Sequence, residues 1–258
     1  MKHAPFFTRL RLLVGRFAAA RRFGLVFSGT SNFQLPKKIS YHGRTISIES
    51  PLDRGLAYDF INVILDDEYG LSKIEEPPKV IYDIGGNIGL FAIWAALNFP
   101  HSKIKSFEPH PETFQFLSNN GVQFEGCTAQ NVAVGSKKGR GFISSHTESR
   151  SNRVSSDAAI EQKSGHEIQI MALEDLVAAE EQEIDLLKLD CEGAEWDIFE
   201  NAKPFQRVRI IRMEYHMVDG KSLEDLRRAA DRIGFEIVKL EENSGFGIAW
   251  MEARNRNS

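Results

Sequence analysis

Two acids flanking a glycine-rich turn are the residues best suited to chemistry. The apolar run Val80-Ile-Tyr-Asp-Ile84 carries Asp83 and opens into Gly85-Gly-Asn-Ile-Gly89, after which a helical pattern takes over. A second apolar run, Ile104 to Phe107, ends in Glu108, nineteen residues beyond Gly89. This is the pattern of a β-α-β unit that holds a nucleoside. Gly85, Gly86 and Gly89 permit a sharp strand-to-helix turn through Asn87 and let a ligand approach bare backbone. Glu108, followed by Pro109, is placed to accept hydrogen bonds from both ribose hydroxyls.

Two nucleoside cofactors compete for such a turn. A dinucleotide fingerprint needs Gly-x-Gly-x-x-Gly, so that a pyrophosphate can rest on the helix N-terminus. Here the spacing is Gly85-x-Asn87-x-Gly89, and Asp83 stands two residues before the turn. An acid there repels a pyrophosphate but suits the ammonium and sulfonium charges of S-adenosylmethionine. The methyl donor is therefore the expected cofactor, with a nicotinamide-dependent reductase as the weaker enzymatic reading.

The elements needed to position these groups alternate along the chain. Glu75-Glu-Pro-Pro78 breaks the structure before the strand at 80–84, and strands then alternate with helices, as in a mostly parallel α/β sheet. Helices are expected at about 88–98 and after Pro109-His-Pro111, and Asn131 to Val134 belongs to the third strand or its exit. Ile184 to Asp190 and Val208 to His216 read as the fourth and fifth strands. Ser222 and Asp225 make a capping box for a helix reaching Gly234, and 235–240 with 247–252 form a terminal antiparallel hairpin. Residues 135–166 are polar, with a strand expected at 141–145, and make either a mobile lid or a surface loop.

Before the sheet, 1–77 reads as a basic helix, a linker at 29–36, a small hairpin from Ile39 to Ile48 and one helix within 53–71. The sheet domain takes 78–253, and 254–258 is a disordered tail. The first 48 residues hold nine Lys and Arg and no acid, while the remaining 210 hold 23 basic and 36 acidic side chains, a net of −13. Phe6, Phe7, Leu10, Leu13, Val14 and Phe17 fall on one helical stripe, with Arg9, Arg11, Arg16 and Arg22 facing away. The segment is neither a secretory signal nor long enough to span a bilayer. It fits a helix lying on an anionic membrane surface through residues 1–23, or one docked on its own domain or a second copy. No nucleic-acid motif accompanies the charge, so nucleic acid is not an expected partner. Cys127 and Cys191 form no pairing framework, which points to a reducing, cytoplasmic setting.

Ligands of such sheets bind outside the carboxyl ends of the strands, which gathers Asp190, Glu192, Glu214 and His216. Methyl transfer to an alcohol needs an aligned acceptor and a base for its proton. His216 is the first candidate base, because an unperturbed imidazole titrates near neutrality, and Asp190 is the second. Lys188 shares a strand face with Asp190 and is expected to form a buried ion pair, with Glu214 as its neighbour. Asp190, Glu192 and Glu214 also offer magnesium its preferred oxygen ligands. Acids at strand ends often only orient backbone or cofactor, so no metal ligand is assigned.

Several blocks in order resemble the FkbM-type family of S-adenosylmethionine-dependent methyltransferases. They are Asp83 to Gly89, Phe107-Glu-Pro-His-Pro-Glu-Thr-Phe114, Asn131-Val-Ala-Val-Gly135, Met171 to Leu176, Ile184 to Glu195 and Glu214-Tyr-His216. The resemblance implies a Rossmann-like class I methyltransferase sheet, mostly parallel with a C-terminal antiparallel hairpin. It also implies O-methylation of a hydroxyl on a sugar, glycan, glycolipid or secondary metabolite. Asn131 is a candidate for the adenine edge by analogy with methyltransferase sheets, a plain turn asparagine being the alternative. The resemblance leaves the basic N-terminal helix unexplained. Base N-methylation is disfavoured, since no Asn/Asp-Pro-Pro-Tyr follows the fourth strand. From a different class, a non-catalytic membrane-associated adapter retaining the fold is the alternative.

Overall fold

The computed structural model describes residues 6–144, 154–155 and 165–254. Its centre is a seven-stranded sheet built from β3 (Val80–Ile84), β4 (Lys103–Phe107), β5 (Cys127–Gln130), β10 (Ile184–Leu189), β11 (Val208–His216), β12 (Phe235–Glu242) and β13 (Phe246–Ala253). The spatial order is β12-β13-β11-β10-β3-β4-β5. Strands β5, β4, β3, β10 and β11 run parallel, and β13 enters antiparallel between β11 and β12. That is the mostly parallel sheet with a terminal hairpin that the resemblance implies.

All five residues of β3 are buried, as befits a strand covered on both faces. Ile81 packs into the core on one side of the sheet, while Val80, Tyr82 and Ile84 pack into the core on the other. The order reverses beside β3, because the chain builds outward to β4 and β5 and then returns to β10 on the other side. A crevice at such a reversal, beyond the carboxyl ends of the strands, is where a ligand is held. The glycine turn after Ile84, Glu108, Asp190 and His216 lie at that end.

Helix α3 (Leu90–Asn98) follows Gly89, whose φ of +91° ends the turn in the left-handed region. Helix α4 (Pro111–Gly121) opens with Pro111, and the His110 side chain caps it by accepting from the Thr113 N–H. The Ser222–Asp225 capping box is formed at the start of Leu223–Ile233, which ends at Gly234 with φ +82°.

The structure moves several expected boundaries. The third strand is Cys127–Gln130, so Asn131 lies at its exit and Ala133–Gly135 (β6) belongs to a different sheet. That second sheet runs β6-β9-β7-β8, with β7 at Gly139–Ser144, β8 at Val154–Ser155 and β9 at Gly165–Ala172. The strand expected at 141–145 is found as β7, and its Ile143 is buried with Ala133 and with Ile168 of β9 in a small core of their own. Residues 145–153 and 156–164 of the polar stretch lie outside the described residues, as do 1–5 and 255–258. Of the expected tail, Arg254 is described and its N–H donates to the Gly234 carbonyl at 2.9 Å.

The N-terminal elements are α1 (Phe6–Arg22), the hairpin β1 (Lys38–Tyr41) and β2 (Arg44–Ser47), and α2 (Gly55–Phe60), whose last turn widens into a π-turn at Ile61–Leu65. The single helix expected within 53–71 therefore ends by Leu65, and Asp67, at φ +49°, breaks the path before a 3-10 turn at Leu71–Lys73. Ala20, Phe23, Phe27, Ile46, Leu56 and Phe60 share one core with Ile81, Ile88 and Trp94. Residues of the described N-terminal elements therefore pack into the same core as the sheet.

Helix α1 separates Arg16 from the apolar stripe as its spacing suggested, and it is the arginine that meets the domain. Arg16 is 6% exposed and grips Asp66 through Nε (2.8 Å) and Nη2 (2.5 Å), while Nη1 donates to Thr30 Oγ1 at 2.9 Å. Leu10, Leu13, Val14 and Phe17 remain exposed. An arginine fork that finds a carboxylate and a hydroxyl outweighs the modest burial those apolar side chains would gain. The side chains of Phe6, Phe7 and Arg9 lie outside the described ones.

Candidate functional site

The turn after β3 and the end of β4 meet as the spacing predicted. Glu108 is 8% exposed; its Oε2 accepts from the Asn87 N–H and its Oε1 from the His110 N–H, each at 2.9 Å. Burial pushes its pKa up to about 7, against the pull of those two backbone bonds. Each carboxylate oxygen keeps lone-pair capacity beyond its one backbone donor, which two vicinal hydroxyls can fill. Asn87 sits at φ +47°, and among the described residues its buried Oδ1 has no hydrogen-bond partner. An orphaned acceptor beside an acid with capacity for two hydroxyl donors fits an adenosine group.

Gly85 serves a further purpose. Its φ is +76°, and a Cβ added there would stand 1.7 Å from the Asp190 carbonyl oxygen. The glycine therefore lets the turn after β3 cross the end of β10, and Lys188 Nζ donates to its carbonyl at 2.6 Å. Gly86 is held tightly against Leu117, 3.0 Å from where a Cβ would lie. These contacts leave little room for a side chain at either glycine of the turn.

Asp83, expected beside the cofactor charges, is fully buried. Its Oδ1 lies 3.2 Å from Lys188 Nζ, and its Oδ2 accepts from Ser106 Oγ at 3.0 Å. The ion pair expected of Lys188 is thus made with Asp83 and, at 3.5 Å, with Asp190, rather than through the Glu214 anticipated. Burial alone would lower the Lys188 pKa, but the Asp83 and Asp190 charges raise it overall. Asp83 thereby ties β3, β4 and β10 together just before the turn.

At the ends of β10 and β11 the structure collects Asp190, Glu192, Glu214 and His216, and adds two groups that sequence reasoning missed. Glu195, 1% exposed, places Oε1 3.2 Å from His216 Nδ1 while accepting from the Cys191 N–H at 2.9 Å. Tyr69 donates from its hydroxyl to Asp190 Oδ2 at 3.3 Å. On its other edge, His216 Nε2 lies 3.5 Å from Glu192 and 3.4 Å from Glu214. Glu195 was visible in sequence as the last acid of the Glu192-Gly-Ala-Glu195 block, whereas no local pattern links Tyr69 to Asp190 across 121 positions.

This ring of acids decides the charges. Burial tends to lower the His216 pKa, but the bonds to Glu195 and Glu214 and the surrounding negative charge raise it to about 11. His216 is therefore an imidazolium at neutral pH, and it has no lone pair with which to take a proton. Glu192 moves to about 7, raised by burial and then by the Asp190 charge, with His216 pulling the other way. It sits at φ +55°, a strained conformation for a residue with a side chain. Ligand atoms of Asp190, Glu192 and His216 all lie within 4.8 Å of one another. An imidazolium cannot ligate a metal, so an ion there would first have to displace the His216 proton.

A model of the methyltransferase FkbM domain matches residues 83–237. The chain belongs to this family. It is 27% identical over 181 residues to the hexuronic acid methyltransferase AglP of Haloferax volcanii, covering 67% of this chain and 71% of that one. It is 28% identical over 166 residues to Methyltransferase 1 of Beauveria bassiana, covering 55% of this chain and 66% of that one. It is 40% identical over 47 residues, 18% of each chain, to the 31-O-demethyl-FK506 methyltransferase FkbM of Streptomyces tacrolimicus. The chain thus spans about two thirds of the length of the first two relatives. Among solved structures, the ribosomal protein L11 methylase of Lactobacillus delbrueckii subsp. bulgaricus aligns at TM-score 0.46 and 11% identity, covering 74% of this chain and 78% of that one.

Within the FkbM domain, Asp83, Gly85, Gly86, Asn87, Gly89, Glu108, Asp190, Glu192, Glu214 and His216 all lie on the carboxyl side of the parallel strands. Asn131 lies there too, but its amide nitrogen donates to the carbonyls of Glu108 (2.8 Å) and Pro109 (3.0 Å). Its structural work is to fix the loop that carries Glu108. Tyr69 precedes the span matched by the FkbM model, so part of the site lies outside the family domain.

Proposed function

We propose that this chain is an S-adenosylmethionine-dependent methyltransferase acting on a hydroxyl of a sugar, glycan or secondary metabolite. The observation that carries the reading is the Glu108 carboxylate, held 2.9 Å from the Asn87 N–H of the turn with acceptor capacity to spare. When bound, S-adenosylmethionine supplies a methyl group on a sulfonium, open to in-line attack by an oxygen. The family match and the hexuronic acid methyltransferase among its relatives support a sugar-like acceptor.

The protein's part is alignment, charge and a proton acceptor. Glu108 and Asn87 orient the adenosine end, and Asp190, steadied by Tyr69 and Lys188, faces the reacting end. Glu192 accepts the proton of the acceptor hydroxyl, since its pKa of about 7 matches the working pH. His216 stays charged and keeps Glu192, Glu195 and Glu214 from repelling one another. The base thus passes from His216, the expectation from its ordinary pKa, to the neighbouring glutamate.

The test has two parts. Calorimetry with S-adenosylmethionine and with NADH should show binding of the first alone. Incubation with labelled donor and a panel of hexuronic acids, deoxysugars, glycolipids and polyketides should then show label entering a hydroxyl-bearing acceptor. Binding of NADH in place of the methyl donor would overturn the reading.

A further inference from the structure

We infer that α1 is an interfacial anchor for an anionic bilayer, an interaction surface separate from the methyl-transfer site. Arg16 and Ala20 face the domain, and the flank of the helix beside them is largely exposed, with Phe17 resting edge-on against Phe27 at 5.5 Å. Val14 is 59% exposed and Leu10 45%, with Leu13 and Phe17 beside them and Arg11, Arg21 and Arg22 exposed around the same face. Positions 10, 14 and 17 lie along one line of a helix, so the apolar groups form a continuous ridge with guanidinium groups close by. That is the arrangement in which a helix lies in the headgroup layer, apolar side down and cations among the phosphates. No helix among the described residues is long and apolar enough to cross a membrane, so contact is at the surface.

Charge identifies the partner. The first 48 residues carry nine Lys and Arg without one acid, whereas the rest of the chain has a net of −13. An anionic surface therefore attracts the segment that carries α1 more than it attracts the rest of the chain. A cytosolic-leaflet lipid such as phosphatidylserine supplies that surface, at roughly 1 kcal/mol per basic residue near it. Arg16 is excluded from the contact because Asp66 and Thr30 already hold it. Its role is to fix the helix on the domain, so the ridge is presented by a rigid element.

The experiment is co-sedimentation of the full chain with phosphatidylcholine vesicles prepared with and without phosphatidylserine. The wild-type protein should pellet only with the anionic vesicles, and raising the salt should release it. Two double variants, Leu10→Glu/Val14→Glu and Arg11→Glu/Arg21→Glu, should each weaken binding at least tenfold while melting like wild type, because all four side chains are exposed. Wild-type protein that stays in the supernatant with anionic vesicles would overturn the inference, as would a variant that pellets undiminished. So would light scattering that shows a dimer dispersed by Leu10→Glu/Val14→Glu, since a second copy would then be the occupant. S-adenosylmethionine binding should persist in both variants, which separates this inference from the methyltransferase reading.

Discussion

Glu195 Oε1 lies 3.2 Å from His216 Nδ1 in a buried contact, and it leaves the opposite ring nitrogen facing Glu192 and Glu214. The imidazole is thereby bracketed by carboxylates on both edges, and its pKa rises to about 11. The basic group that the sequence points to becomes the fixed cation of the site, and the acid beside it becomes the group able to exchange a proton near neutrality.

Glu192→Gln should therefore leave S-adenosylmethionine binding intact and lower turnover by roughly 10²–10⁴-fold, the usual contribution of a positioned base. Labelled methyl transfer and calorimetry read the two effects separately. Retention of full turnover would remove Glu192 from the mechanism.

The pH profile distinguishes Glu192 from His216. Glu192 must be ionised to accept a proton, so turnover should rise as pH increases through about 7. His216→Asn removes the cation that holds the Glu192 pKa down, and should move that rise to more alkaline pH. A profile that keeps its midpoint in the variant would return the base role to another group.

Cofactor affinity should have its own pH dependence. The ribose hydroxyls donate to an ionised Glu108, whose pKa in the free protein is about 7 because of burial. Binding of S-adenosylmethionine should consequently tighten as pH rises through about 7 and weaken below it. Glu108→Gln should weaken binding and flatten this dependence, as measured by calorimetry across that range.

Lys188 and Asp83 should behave as a unit in stability. Both side chains are almost wholly buried, so Lys188→Met leaves a buried carboxylate without its cation and should cost about 3–5 kcal/mol in chemical denaturation. Asp83→Asn combined with Lys188→Met removes both charges and should recover much of that loss. A double variant as unstable as the sum of the singles would argue against a specific pair.

Gly85→Ala tests the crossing of the two loops. The added methyl meets the Asp190 carbonyl and the backbone is held at φ +76°. Together these should destabilise the fold by about 3 kcal/mol or more, seen as a lowered melting temperature.

Much of this protein was legible in the order of its residues. Apolar runs ending in acids located β3, β4, β10 and β11, because a strand covered on both faces is mostly apolar, its few buried charges being paired. The capping box and the terminal hairpin were equally local, since each depends on neighbours a few positions apart. The meeting of the glycine turn with the strand end that carries Glu108 followed as well, because a β-α-β unit fixes which strand end lies beside which turn.

What tertiary structure alone decided were the charges and the pairings. Arg16 faces inward because Asp66, fifty positions away, meets it there, and a helical wheel carries no record of that partner. Asp83 ties down Lys188, and Glu195 and Glu214 keep His216 protonated, because burial makes each charge depend on the few groups packed against it. Local sequence sets backbone geometry through contacts between near neighbours. Electrostatics inside a folded core is set by residues that only the fold brings together.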